Sequence, residues 1–280
     1  MLTLKTKRVP LPFTDPTINY LLLILIALAV GFELALPGNA FVNLSNFQSM
    51  AFQVPELGML AIAMMITMLS GGINLSIIAT TNMTAITTAF LLTHFIEEGA
   101  IVSGPAFVML LAVAAGLLVA VLVGLINGLI IAYVGVSPIL ATLGTMTLIE
   151  GLNVALTRGD VISGFPAPIL FIGNGVVSGI PMPMIIFVAC AAVVAILLNR
   201  SPLGVSIYMI GSNEKATLFS GVPTRAVQVK IYMLSGLQLI SSGLNLLGFS
   251  THLTIALWGA ILIVVISLRH FRSWFGKVTT

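Results

Sequence analysis

The chain has 280 residues, of which 59% are hydrophobic and only 7% charged, with a formal net charge of +3. Soluble domains carry roughly a quarter charged residues, so this chain cannot cover its own surface in water and must be covered by a bilayer. The net charge is too small to point to nucleic acid as a partner.

Each crossing of a bilayer takes about 20 apolar residues, so the length predicts an all-α bundle of roughly eight to ten membrane helices. In chain order, the first apolar stretch is about 18–36. It follows Lys5, Lys7 and Arg8, and it leads into Glu33 with no small-residue cleavage site, so it reads as a membrane helix rather than a removable leader. The second is about 52–69, closed by Ser70-Gly71-Gly72. The third, about 73–92, is unusually polar. The stretch 105–134 fits either one tilted helix or a helix with a turn at Gly124. Another covers about 138–156, and a Gly/Pro-rich segment runs from there to Pro183. After the apolar stretch 182–198, residues 199–230 form the one long segment of soluble character. Stretches at about 231–249 and 253–268 precede a basic tail.

Eight crossings with a cytoplasmic N-terminus place ten of the eleven Lys and Arg residues inside, leaving only Arg158 outside. The positive-inside rule therefore predicts that both termini are cytoplasmic. Cys190 lies alone in an apolar run and reads as a small buried hydrophobe. No phosphate-loop motif G-x-x-x-x-G-K-[ST] is present, and His94, His252 and His270 are scattered rather than clustered as metal ligands. No catalytic residue, metal site or bound cofactor is expected.

Three segments stand above this background. In the first, Gly211 to Gly221 reads as a short capped helix on the cytoplasmic side. Asn213 is its N-cap, Glu214 sits at the positive end of its dipole, and Gly221 follows its last turn. Such a helix either docks on a partner or rests on the membrane surface. In the second, Gly71-Gly72-Ile73-Asn74-Leu75-Ser76 is followed by Thr80, Thr81, Asn82, Thr84, Thr87 and Thr88. Lipid offers hydroxyls and amides no partners, so these groups bond their own helix, face other helices, or line a wet path. Asn74 and Asn82 are the hardest to satisfy locally, because an amide needs more partners than a hydroxyl. In the third, Pro138 to Gly151, Thr147, Glu150 and Asn153 recur at intervals of three and are expected on one helix face. Glu150 is an acid at membrane depth and so a functional candidate, or a carboxylate reaching the interface.

These segments resemble the membrane permease subunits of bacterial sugar-import ABC transporters of the ribose, galactose, xylose and autoinducer type. Gly71 to Ser76 is similar to that family's G-G-I-D-L-S segment, and Pro138 to Gly151 to its P-x-x-x-T-L-G-T-x-x-x-x-x-G segment. Gly211-Ser212-Asn213-Glu214, with Ala216, Gly221-Val222 and Tyr232 to Gly236, resembles its coupling helix and the membrane helix after it. The resemblance implies one permease domain over residues 1–280 in the bacterial inner membrane, with a coupling region at about 199–230. It implies a dimer with a second copy or a paralogue. It also implies separate ATP-binding subunits that carry ATP and Mg, and a periplasmic solute-binding protein. Asn74, Ser76, Thr142, Thr145 and Glu150 would line or support the path; Gly211, Asn213, Glu214, Ala216 and Gly221 would couple to the ATPase. Three departures are visible. Asn74 stands where the family has Asp, Ile78 stands where a glycine is common, and a family segment is missing near 237–241. The rival readings are an ion-coupled secondary transporter and an ABC permease for nucleosides or branched-chain amino acids.

Overall fold

The computed structural model describes residues 43–97, 105–160, 162, 165 and 167–237, with scattered residues between 23 and 34. The chain divides into two compact units, Met1–Ala51 and Phe52–Thr280. In the first unit the described residues between 23 and 34 are helical. The expected stretches beyond Leu237, the missing family segment near 237–241 and the basic tail lie outside the described residues.

The long elements are α1 Leu44–Leu69, α2 Ile77–Glu97, α3 Pro105–Leu129, α4 Pro138–Thr157 and α6 Met182–Arg200. Between α4 and α6 lie the short helix α5 Ala167–Asn174 and a hairpin of β1 Val176–Val177 and β2 Ile180–Pro181. Helices α7 Pro202–Phe219 and α8 Thr224–Leu237 follow. Among the described residues four helices are long and apolar enough to cross a membrane: Phe47–Leu69, Phe107–Val134, Pro138–Thr157 and Met182–Arg200. Helix α2 has the length but is too polar to join them. Its threonine hydroxyls mask much of that polarity by bonding back along the helix, Thr80 to Ser76 O, Thr81 to Ile77 O and Thr87 to Met83 O at 2.7, 3.0 and 2.8 Å. The local account of the threonines therefore holds.

Gly124 makes no turn. Helix α3 continues through it to a π-helical turn, Ile130–Val134, and ends at Gly135 with φ of 81°. The glycine is there for packing. A β-carbon on Gly124 would meet the backbone of Tyr232 and Met233, one on Gly128 would meet Val229, and one on Gly236 would meet Ala120. Helices α3 and α8 thus touch backbone to backbone along a seam that only glycine permits, the usual solution where lipid provides no hydrophobic drive for helix association. A core of Ile66, Val194, Leu198, Ile207, Ile210, Val227 and Ile231 joins α1, α6, α7 and α8.

The segment 199–230 is more helical than expected. Ser201 caps α7 by accepting from Gly204 N at 3.1 Å, and the helix runs on through the predicted short helix. It is broken once, at Asn213, whose φ of −161° and ψ of 103° are extended.

Candidate functional site: a buried polar cluster at the break between α1 and α2

The end of α1 is defined by two contacts to one carbonyl oxygen and by a left-handed glycine. Ser70 Oγ donates to Thr67 O at 2.7 Å, Gly72 N donates to the same oxygen at 3.0 Å, and Gly71 takes the left-handed conformation with φ of 84°. The chain then runs irregularly to Ile77. Asn74 turns it into α2 by accepting from Ser76 N at 3.1 Å and from Ser76 Oγ at 2.7 Å. That is why α2 starts at Ile77 rather than near residue 73.

From Asn74 a chain of hydrogen bonds spreads across four helices. Asn74 Nδ2 donates to Ser235 Oγ of α8 at 3.2 Å, and Ser235 Oγ donates to Ala63 O of α1 at 2.9 Å. Ser76 Oγ accepts from Asn127 Nδ2 of α3 at 2.9 Å, and Asn127 Oδ1 accepts from Thr145 Oγ1 of α4 at 2.6 Å. Thr142 Oγ1 accepts from Leu75 N at 3.1 Å. All six side chains are buried, Asn127, Thr142 and Ser235 completely. Each bond uses a neutral donor, and Asn74 joins both sides of the cluster because its amide donates and accepts at once. An ionised aspartate there would offer acceptors only.

Four of the expected path residues, Asn74, Ser76, Thr142 and Thr145, are therefore gathered into one cluster. Asn127 and Ser235 belong to it and were not singled out. Asn127 was visible as a lone amide in an apolar run. Glu150 is not part of it and stands exposed on α4. The shared face expected for Thr147, Glu150 and Asn153 is also corrected. Thr147 and Glu150 are exposed, whereas Asn153 is buried and donates to Ala79 O of α2 at 3.1 Å. Steps of three drift by 60° each on a helix of 3.6 residues per turn, and the buried face of α4 follows steps of three and four through Thr142, Thr145, Ile149 and Asn153. Asn82 is exposed, not buried. Glu56, half-buried in α1, is a further acid within an apolar span.

The predicted cap at Asn213 is present. Its Oδ1 accepts from Ala216 N at 3.0 Å. Gly221 has φ of 83°, and Val222 N reaches back to Thr217 O at 3.4 Å, closing the helix as expected. Glu214 Oε1 accepts from Gln228 Nε2 of α8 at 2.9 Å, and Phe219 is 89% exposed. A shallow groove beside the break is lined by Val205, Tyr208, Met209, Asn213, Ala216 and Ser220. Gly211, the first residue of the motif, lies against α1: a β-carbon on it would run into Leu69 O and come within 3.4 Å of Ser70 Cα. The two candidate regions are thus in direct contact. Among the described residues no group of His, Cys, Asp or Glu could hold a metal ion.

Residues 46–268 match the family described as branched-chain amino acid transport system / permease component. The chain belongs to that family. It is 36% identical over 200 residues to the ribose import permease protein of Bacillus subtilis, covering 71% of this chain and 59% of the relative. It is 32% identical over 187 residues to an autoinducer 2 import system permease protein of Yersinia enterocolitica, and 30% identical over 186 residues to that of Salmonella typhimurium. Those matches cover 65% and 64% of this chain and 53% of each relative. The chain thus spans a little over half the length of the curated relatives it matches. No solved structure matches it. As a member of this permease family with four apolar spans, it is a multi-pass membrane protein.

Proposed function

We propose that this chain is the permease subunit of an ATP-driven ABC importer, forming the path for a small neutral polar solute, a monosaccharide or a related sugar. The observation that carries this reading is the cluster at the break between α1 and α2. Its buried polar side chains are Asn, Ser and Thr, and no ionised group joins them. A site for an ion or a zwitterion would call for fixed charge to offset the solute's own. The curated relatives named for ribose and autoinducer 2 import support the same solute class.

Irregular backbone at membrane depth is tolerated where protein buries it or where it lines a wet cavity. In this reading Asn74, Ser76, Thr142 and Thr145 hold the break in shape through hydrogen bonds within the chain. Glu150, Thr147 and Asn82 point away from the core of this chain and face a second permease copy or paralogue. Lipid would leave a carboxylate and an amide unpaired. The helix Glu214–Phe219 docks on an ATP-binding subunit that carries ATP and Mg. A periplasmic solute-binding protein delivers the solute on the opposite side. The protein sits in the bacterial inner membrane with both termini cytoplasmic.

The test is purification from the native membrane followed by reconstitution with whatever accompanies the chain. Copurification of an ATPase and ATP-dependent uptake of labelled ribose or another sugar supports the reading. Uptake driven by an ion gradient with no ATPase bound refutes it. The family description favours branched-chain amino acids as the second reading, and labelled leucine in place of the sugar decides between the two.

A further inference from the structure

The segment between α4 and α6 carries a feature that the transport reading does not use. From residue 161 to residue 199 there is no Asp, Glu, Lys, Arg or His. Within this stretch α5 turns its Ile169 inward against Leu92 of α2 and Ala112 of α3, with Phe165 and Ile172 packed alongside. Its other side is left open, with Leu170 39% and Phe171 47% exposed. The hairpin continues this open surface: Val176, Val177 and Ile180 are 45%, 42% and 50% exposed. Val176 and Val177 point to opposite sides of the strand, so both faces of the hairpin are apolar.

A two-stranded hairpin apolar on both faces is not a stable object in water. Here its position fixes the solvent. Strand β2 ends at Pro181 and the membrane span α6 starts at Met182, with no residue between them. The helix has 19 residues and its opposite end is Arg200. At 1.5 Å per residue that is about 28 Å, one hydrocarbon thickness. With Arg200 at one boundary of the bilayer, the hairpin lies at the other.

Part of its backbone is paired within the segment. Val176 pairs with Pro181 and Val177 with Ile180, Met182 N donates to Gly175 O at 2.8 Å, and Gly175 N donates to Phe171 O at 2.7 Å. The turn residues Ser178 and Gly179 both have positive φ, 52° and 84°, which gives the tight two-residue connection.

We infer that α5 and the hairpin form an interfacial insertion that buries Leu170, Phe171, Val176, Val177 and Ile180 in the lipid of the leaflet remote from Arg200. The partner is the bilayer itself, not a soluble protein. A face offered to a soluble protein would carry a charged or polar rim, and this one has no charged residue within its whole segment. The insertion clamps the ends of α2 and α3 against the membrane boundary through Ile169.

The test uses the full chain in proteoliposomes of phosphatidylethanolamine and phosphatidylglycerol. The lone cysteine is removed by Cys190→Ala, and cysteine is introduced singly at Val176, Val177 and Ile180 for nitroxide labelling. These side chains are exposed, so the label does not disturb packing; Leu170 and Phe171 serve in place of any variant that fails to elute as a single species. Collision rates with oxygen, which partitions into lipid, should exceed those with a water-soluble nickel chelate at all three positions. A label at Ser178 should show the smallest excess. Nickel collisions exceeding oxygen collisions at the three positions would place the hairpin in water and overturn the inference. Suppression of both reagents would overturn it too, because it would mean that a protein partner or a second copy covers the hairpin.

Discussion

Asn74 and Ser235, 161 positions apart, are joined side chain to side chain at 3.2 Å, and Ser235 passes the contact on to the backbone of α1 at Ala63. This pair ties the break between α1 and α2 to α8, the helix that follows the Asn213 segment. Removing Asn74 orphans two groups of Ser76 at once. Asn74→Ala should therefore cost about 1–3 kcal/mol, the usual penalty for buried polar groups left unpaired. Asn82→Ala, on an exposed amide of the neighbouring helix, should stay within about 0.5 kcal/mol. Chemical unfolding in detergent compares the two. Equal losses would show that the cluster is not what holds the break. The double variant Asn74→Ala/Ser235→Ala should cost less than the sum of its parts, since one bond is shared.

Gly211 tests the contact between the Asn213 segment and α1. A methyl group there collides with Leu69 O, whereas nothing lies within 4 Å of a β-carbon at Gly144 or Gly151. Gly211→Ala should destabilise by about 1–3 kcal/mol through forced displacement of backbone. Gly144→Ala and Gly151→Ala in α4 should stabilise the isolated chain by up to about 1 kcal/mol through helix propensity. Thermal midpoints of the three variants give the order directly. Under the proposed function, Gly211→Ala should reduce uptake more than basal ATP hydrolysis by the copurified ATPase.

Asn213 caps a helix of a single turn or two, so its loss is felt locally. Asn213→Ala should weaken that helix by about 1 kcal/mol. Amide exchange at Ala216, the capped N–H, should then speed up about fivefold, with the seam between α3 and α8 unchanged. Mass-resolved hydrogen exchange reads both regions in one experiment, and uniform acceleration across the chain would contradict the assignment.

Tyr232 carries a buried hydroxyl with no hydrogen-bond partner, and that hydroxyl is the nearest atom to a β-carbon built on Gly72. Removing an unpaired buried hydroxyl leaves nothing unsatisfied, so Tyr232→Phe should be neutral or stabilising. Gly72→Ala should destabilise the natural chain and do so less in the Tyr232→Phe background, because the phenolic oxygen is the first atom it meets. A double-mutant cycle on unfolding free energy checks the sign.

Much of the local architecture could be read without coordinates. The cap at Asn213 and the stop at Gly221 depend on backbone geometry within a few residues, and side-chain type alone announces them. The membrane stretches were visible because hydropathy over about 20 residues is itself the physical requirement. The start of α2 was misplaced because the Asn74 turn interrupts an apolar run without changing its composition. The hairpin at 176–181 was hidden inside a Gly/Pro-rich segment, although Ser178-Gly179 between apolar pairs was its signal.

The partners in the polar cluster were out of reach of such reasoning. Thr147, Glu150 and Asn153 share a spacing, yet only Asn153 is buried, because steps of three drift by 60° each and the side on which α4 packs against its neighbours decides which of them is covered. Asn127 and Ser235 complete the cluster from helices that begin dozens of residues away, and glycines on both α3 and α8 bring those helices close enough for it to form. Sequence by itself determined that this chain crosses a membrane, where most of its helices lie and which short helix is capped, since hydropathy, turn chemistry and capping act over neighbouring residues. Only the tertiary structure decided which polar groups meet, because hydrogen bonds between helices depend on packing angles and on contacts that no local pattern encodes.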